Sequence, residues 1–354
     1  MWSASAAIVA LVVLIGFLSV AIATLLILFS PGIDRHNTRR GAPHSISHRE
    51  FLLAHVHGGH EETGLLERPR PNGELVRLFY RFWLPKHLES YLDAKAVVVV
   101  LHGVNSHSAR SSNFMVEVLQ RGFLVAGIDH EGMGRSDGRH GYFASVHTLV
   151  DDAIAFIELV KHKYAGKKVF LLGASLGGLI ILHALAKGGP NLVDGAVILC
   201  PATEIHHDSR PSPLMEVLAK VVHKYMPKLP LVQANSGKNN SPEVAASVDA
   251  DKFADPLYYP GKMRVGTGLA ILEGIMTIHD KLHLIETPYL LQHGTDDRAC
   301  SVTGSAACHR KTRSTDKTFK TYQGGHHDLA SEPPRIRDAV VRDFVDWLEE
   351  HAKA

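Results

Sequence analysis

The apolar positions of the chain fall into three regimes. From Ala6 to Phe29 no charged residue occurs, and Ala, Val, Leu and Ile dominate. From Pro31 to Gly73 the sequence is polar and rich in Pro, Gly and His, with a brief apolar block at Glu50–Leu53 that reads as a first hairpin strand. From Leu75 onward, short apolar blocks alternate with longer amphipathic ones.

The short blocks predict strands. Leu75–Leu84 is aromatic-rich, and Ala96–Leu101 is an almost unbroken valine run. Such runs mark strands buried on both faces, hence a parallel sheet. Phe123–Asp129, Lys168–Leu172, Gly195–Cys200, Tyr289–His293 and Thr318–Tyr322 extend the series. The longer blocks predict helices. One covers Ser111–Arg121 and stops at Gly122, and another carries Leu149, Ala153, Ile157 and Val160 on one face. A third follows at Gly178–Lys187, and a last one opens at Pro333-Pro334 with Ile336, Val340, Phe344, Trp347 and Leu348 aligned. Strand–helix alternation of this kind predicts an α/β chain, a mostly parallel central sheet with helices on both faces.

The stretch Pro201–Leu284 breaks the alternation and is too long for a simple crossover. It holds an apolar helix over Leu214–Met226, a polar loop at Asn235–Ser241 and a second helical run at Leu269–Ile278. It reads as an inserted helical cap over the carboxyl ends of the strands, where open α/β sheets bind ligands. Most of the Leu214–Met226 stripe is expected to pack on the body. Any apolar width beyond that would line an acyl-chain tunnel or touch a bilayer. The expected division is therefore an anchor at 1–30, a juxtamembrane linker and first strand at 31–73, a core in two parts at 74–202 and 285–354, and the cap at 203–284.

The apolar run at Ala6–Phe29 is long enough, at 1.5 Å rise per residue, to cross a hydrocarbon core of ~30 Å as a helix. A cleaved signal peptide would need a basic leader and a shorter apolar core. Met1–Ser5 has neither Lys nor Arg, and the small-x-small triplet Ala21-Ile22-Ala23 lies inside the run. The expectation is a single-pass membrane helix. Arg35, Arg39, Arg40 and Arg49 follow it and no basic residue precedes it, which places the domain that follows in the cytosol. A net charge of +2 implies no nucleic-acid partner. Three cysteines, Cys200, Cys300 and Cys308, make no disulfide framework and fit a reducing compartment. The 24 histidines show no H-E-x-x-H or paired Cys/His spacing, so no metal is expected. The sequence carries no signal for the oligomeric state.

Chemistry concentrates at Gly173-Ala174-Ser175-Leu176-Gly177, between a strand and a helix. G-x-S-x-G in that context is the nucleophile elbow of α/β-hydrolases. The turn is so sharp that the serine hydroxyl stands clear of the sheet, and glycines at 173 and 177 remove side chains that would collide across it. The helix start offers the Leu176 N–H to an oxyanion. A second donor should come from the loop after the valine strand, His102-Gly103-Val104-Asn105, where Gly103 permits close backbone approach and Val104 supplies the N–H. A serine needs a base, and the base an orienting acid, in the chain order Ser, acid, His. Asp296-Asp297 follow one later strand, and His326-His327 follow the next. Neighbouring carboxylates point apart, so only one of Asp296 and Asp297 can face the base. A turn-initiating carboxylate commonly bonds backbone N–H groups two residues on, a task open to Asp296. Cys300, three residues past Asp297, lies where a bulky thiol adduct could displace the acid, although an inert buried thiol is the expected state.

These motifs together resemble the monoacylglycerol lipase / lysophospholipase branch of the α/β-hydrolases. The likeness runs through His102-Gly103, His107-Ser108-Ala109-Arg110, Asp129-His130-Glu131-Gly132-Met133-Gly134-Arg135-Ser136-Asp137-Gly138, the elbow, Asp255-Pro256-Leu257, Gly294-Thr295-Asp296-Asp297-Arg298 and Tyr322-Gln323-Gly324-Gly325-His326-His327. It covers residues 75–350. The resemblance implies an α/β-hydrolase fold and a lipid-ester substrate, with Ser175 as nucleophile, Asp297 as acid, His327 as base and no cofactor. Val104 and Leu176 would supply the oxyanion donors. Ser136-Asp137-Gly138 with Gly141-Tyr142 is similar to plant members that act on phenolic esters, so a hydroxycinnamoyl esterase or an acyltransferase is the alternative. A catalytically silent binding protein is a third reading, disfavoured by the complete Ser–Asp–His set. The chain departs from the animal lipases in carrying Ala174 before the nucleophile, and its Asn235–Val248 stretch matches no pattern of the branch.

Overall fold

The computed structural model describes residues 4–29, 39–43, 45–232 and 239–353. Eight strands form one sheet in the order β1-β2-β4-β3-β5-β6-β9-β10. In chain order these are β1 (Glu62–Pro69), β2 (Leu75–Trp83), β3 (Val97–Leu101), β4 (Leu124–Ile128), β5 (Val169–Ala174), β6 (Gly195–Leu199), β9 (Tyr289–Gly294) and β10 (Lys317–Tyr322). β1 and β2 are antiparallel to their neighbours, and β4, β3, β5, β6, β9 and β10 run parallel. A two-stranded ribbon pairs β7 (Pro230–Val232) with β8 (Met263–Arg264).

The valine strand shows why both sheet faces are covered. Val97, Val99 and Leu101 point into one core cluster, with the helices α4 (Val146–Lys163) and α5 (Leu176–Gly188). Val98 and Val100 point into a second, with α3 (Ser112–Gln120) and α10 (Pro334–Lys353). The period-two alternation of a strand feeds two cores from one run of like residues.

The sheet is mostly parallel and sandwiched between helices, as the pattern predicts. One strand expectation fails. Glu50–Leu53 belongs to a helix, α2 (Ile46–His55), whose N-cap Ser45 accepts a hydrogen bond from the His48 N–H. Phe51 and Leu52 turn inward together, and Phe51 meets Trp83 edge-on at 5.0 Å between ring centroids. A short apolar block has no decisive period, and here the cap and the Trp83 contact decide for helix. The first strand begins only at Glu62.

Between β6 and β9 the chain runs through α6 (Pro213–Tyr225), α7 (Pro242–Ala254) and α8 (Val265–Ile278). Part of the polar loop expected at Asn235–Ser241 lies outside the described residues. α6 overturns the expectation that its stripe packs on the body: it buries no residue. Leu214, Val217, Val221 and Tyr225 are exposed along one side. α1 (Ala4–Phe29) is long and apolar enough to cross a membrane, a criterion that N-terminal signal sequences also meet. Its side chains from Leu11 to Leu28 stand clear of the body. The backbone at its end still touches the insertion, where the Lys228 N–H donates to the Phe29 carbonyl at 3.3 Å.

Candidate active site

Four loops meet at the carboxyl edge of the parallel strands. Ser175 follows β5, Val104 follows β3, Asp297 follows β9 and His327 follows β10. Ser175, Val104, Leu176 and His327 line one cavity of about 1720 Å³.

The turn at the candidate nucleophile is strained. Ser175 holds φ 55° and ψ −116°, a conformation costly for a side-chain-bearing residue. Its N–H donates to Leu199 O at 3.0 Å, and its carbonyl accepts from Leu179 and Ala202 N–H, which pins the turn from three sides. The two elbow glycines are obligatory on steric grounds. A Cβ on Gly177 would stand 1.9 Å from the Leu101 carbonyl oxygen, and one on Gly173 would stand 2.8 Å from the Gly177 carbonyl carbon. Gly103 differs. A Cβ there meets Ala174 O at 3.6 Å, an ordinary contact, so close approach is not what requires glycine at that position.

Among the described residues, neither Val104 N–H nor Leu176 N–H donates to an internal acceptor, and both residues border the cavity beside Ser175. The Val104 loop is held from behind. His102 Nε2 accepts from the His130 N–H at 2.9 Å, so its Nδ1 carries the proton and donates to Gly103 O at 2.8 Å. Burial pushes His102 down to about 4, which keeps it neutral for this bridging task. The insertion grips the same loop. Tyr259 N–H donates to Asn105 O at 2.9 Å, and His107 Nε2 pairs with Asp255 Oδ2 at 2.7 Å.

The candidate acid and base form a short pair. His327 Nδ1 lies 2.7 Å from Asp297 Oδ2, leaving Nε2 for the cavity. Asp297 is 4 % exposed, whereas Asp296 is exposed and its Oδ1 accepts from the Thr295 hydroxyl at 2.9 Å. Asp297 also does the turn work expected of Asp296: its Oδ1 accepts from Ala299 N–H at 2.7 Å and Cys300 N–H at 2.9 Å. Burial by itself would raise the Asp297 carboxyl, but the His327 charge and hydrogen bonds from His293 and His327 hold it far below the usual carboxylate range. His327 is the mirror case. Burial lowers it, and the Asp297 charge and hydrogen bond outweigh that and raise it above 6.5.

One member of the cluster escaped the sequence reading. His293, at the end of β9, is fully buried and sets Nε2 3.1 Å from Asp297 Oδ2, with Nδ1 on the Ser305 hydroxyl at 2.8 Å. It meets the same carboxylate oxygen as His327 does. The signal was its i, i+4 spacing to Asp297 across the tight Gly294-Thr295-Asp296 turn. Cys300 is buried, and burial pushes its thiol well above the ordinary range. It meets the acid through its backbone N–H, not its sulfur. Cys200 and Cys308 are likewise buried free thiols.

Opposite this floor the cavity is walled by the insertion, with Leu218 and Val222 of α6, Val248 of α7 and Leu269 and Leu272 of α8. α6 therefore has two apolar sides. One looks into the cavity and the other looks out.

Residues 93–334 match the family described as serine aminopeptidase, S33. The chain is 29% identical to human monoglyceride lipase over 282 residues, covering 79% of this chain and 89% of that protein. It is 27% identical to caffeoylshikimate esterase of Arabidopsis thaliana over 292 residues, 80% and 84% of the two chains. Among solved structures, the monoacylglycerol lipase of Paleococcus ferrophilus superposes with a TM-score of 0.65 at 24% identity, covering 82% of this chain and 99% of that one.

Proposed function

From a chain that belongs to the serine aminopeptidase S33 family and has the α/β-hydrolase fold, we propose a membrane-anchored carboxylic ester hydrolase of the monoacylglycerol lipase type. Its substrates are monoacylglycerol-like or lysophospholipid esters. One observation carries the reading: a strained serine, a short Asp297–His327 pair and two unengaged N–H groups border a single cavity with an apolar far wall. The similarity to human monoglyceride lipase supports the substrate class.

Ser175 Oγ attacks the ester carbonyl while His327 Nε2 takes its proton. Asp297 keeps the imidazole oriented and stabilises its charge. The oxyanion gathers the Val104 and Leu176 N–H groups, donors fixed before the charge develops and therefore costing no reorganisation. His327 then protonates the leaving alcohol, water enters, and the acyl-enzyme hydrolyses through the same groups in reverse. The cavity of about 1720 Å³ exceeds the ~300–1,000 Å³ usual for small-molecule sites, which suits a long acyl chain beside a small head.

Anchoring by α1 follows from its surroundings. A helix that is apolar all round and stands clear of its own protein finds a compatible environment in lipid. The exposed apolar side of α6 is a second surface suited to lipid contact, and its Tyr225 end lies three residues before Lys228, whose N–H meets the end of α1. The likeness to the Arabidopsis esterase supports a second reading, a phenolic-ester esterase in the same cavity.

The test is a release assay on monoacylglycerol, lysophosphatidylcholine and a hydroxycinnamoyl ester, run beside fluorophosphonate labelling of wild type and Ser175→Ala. Monoacylglycerol or lysophosphatidylcholine should be the preferred substrate. Ser175→Ala should lose labelling and, as removal of a triad member does, on the order of 10⁴–10⁶ in turnover. Near-normal turnover of that variant would refute the mechanism, and preference for the cinnamoyl ester would install the second reading.

A further inference from the structure

The loop that carries His327 is held by two different parts of the molecule. Before the base, the hydrolase body holds it: Asp296 N–H donates to Gly325 O at 2.9 Å, and Gly324 N–H donates to Thr295 Oγ1 at 2.9 Å. After the base, the holding groups come from the insertion, at the entry to α7. Asn239 O accepts from Asp328 N–H at 2.9 Å, and Asn240 Nδ2 donates to Asp328 O at 3.3 Å. That Asp328 N–H belongs to the peptide unit directly after the His327 Cα, so the contact restrains the backbone that aims the imidazole. The gripping residues belong to the Asn235–Val248 stretch, which matches no pattern of the lipase branch.

Glu332 ties the two sides together. It is 1 % exposed and follows the base on the same loop. Its Oε1 accepts from the N–H of Ser241, the N-cap of α7, at 2.9 Å. Its Oε2 lies 3.5 Å from His326 Nδ1, and among the described residues neither of these two buried atoms has a hydrogen-bond partner elsewhere. Just beyond, Arg335 meets both carboxylate oxygens of Glu243, in the first turn of α7, at 2.8 Å each. A buried carboxylate is costly to desolvate, and a well-packed apolar side chain in its place is often as stabilising or more so. Glu332 is therefore better explained by what it aligns than by what it stabilises.

We infer that Glu332 is a positioning residue for His327, holding the base loop against the entry to α7 so that the base is aligned while that wall of the cavity is docked. The inference rests on the hydrolase reading above. Glu332 acts through its neighbours: His326 directly before the base, and the 239–241 segment that grips Asp328 directly after it. α7 contributes Val244 and Val248 to the cavity, so the bonds that align the base also seat the wall along which an acyl chain would lie. Proton transfer from Ser175 Oγ needs His327 Nε2 within hydrogen-bond reach, and a misplacement of about 1 Å costs on the order of 10²-fold.

Glu332 could instead shape the wall alone or serve stability alone, and the three roles separate experimentally. Full-length wild type, Glu332→Ala, Glu332→Gln and Asn240→Ala are assayed for kcat and KM on p-nitrophenyl acetate and p-nitrophenyl decanoate, well below each melting temperature. The acetate carries almost no chain for the wall to bind. Positioning predicts that Glu332→Ala lowers kcat on the order of tenfold on both esters, with KM little changed. Glu332→Gln should stay within about threefold of wild type, because its amide oxygen still accepts from Ser241 N–H and its NH₂ can donate to His326. Asn240→Ala, which removes one long hydrogen bond, should lower kcat about threefold on both esters. A loss confined to the decanoate, with KM raised, overturns the inference in favour of wall shape. Normal kcat in Glu332→Ala with a lowered melting temperature overturns it in favour of stability, and a glutamine variant as slow as the alanine one overturns it too. If Glu332→Ala does not fold, Asn240→Ala decides, and an unchanged kcat there overturns the inference. Wild type that turns over neither ester removes the hydrolase reading, and the positioning role with it, a result distinct from the others.

Discussion

Asp296 and Asp297 are adjacent, and the fold treats them oppositely. A single residue's difference in position along a tight turn sends one carboxylate to solvent and the other to a pocket where two backbone N–H donors and two histidines meet it. Residue chemistry alone could not choose between them, because the partners lie in other segments: His327 on the loop after β10 and Ser305, behind His293, on α9 (Val302–Lys311). Asp297→Asn should cost on the order of 10⁴ in turnover, since the amide offers His327 the wrong partner. The pH profile carries the sign. A general base must be neutral, so wild-type turnover should rise with pH along a limb set by His327, which the Asp297 charge and hydrogen bond hold above the ordinary histidine range despite burial. In Asp297→Asn the raising charge is gone and burial still lowers the imidazole, so the residual activity should show that limb at lower pH. Asp296→Asn should leave both turnover and limb in place. Turnover and pH profiles of the two variants check this, and a crippled Asp296→Asn would move the acid by one residue.

At the scale of elements, legibility followed the size and period of what each element buries. The valine strand and the helix carrying Leu149, Ala153, Ile157 and Val160 announce themselves because large apolar residues recur at the right spacing. α7 buries no residue, so it left no stripe to read. α9 buries only Gly304, Ser305 and Cys308, too small to register as a period. α6 is the reverse case, a strong stripe with a misassigned destination. Its amphipathic pattern says that one side avoids water but not what covers it, and the expected cover was the body. The stability consequence separates the two destinations. Were Val217 and Val221 packed inside, truncation to Ser would cost on the order of 1–3 kcal/mol each. Exposed as they are, Val217→Ser and Val221→Ser should leave the melting temperature within the ~0.5 kcal/mol scatter of surface changes. Turnover of vesicle-borne lipid should fall all the same, because each side chain immersed in the interface contributes through its buried apolar area. A marked drop in melting temperature would return the stripe to the protein interior.

At the scale of the whole molecule, the question is whether α1 belongs to the working enzyme or is removed from it. Among its described side chains, those from Leu11 to Leu28 are exposed and belong to neither hydrophobic cluster. Deleting residues 1–30 should therefore leave the melting temperature and the turnover of dispersed short-chain esters unchanged, and convert a membrane protein into a soluble one. The full chain should resist carbonate extraction and keep its calculated intact mass of 38.7 kDa. An isolated protein whose mass shows the loss of the first twenty to thirty residues, or which carbonate releases intact, would make α1 a leader or a loosely held segment. The bilayer would then have to be reached by α6 alone.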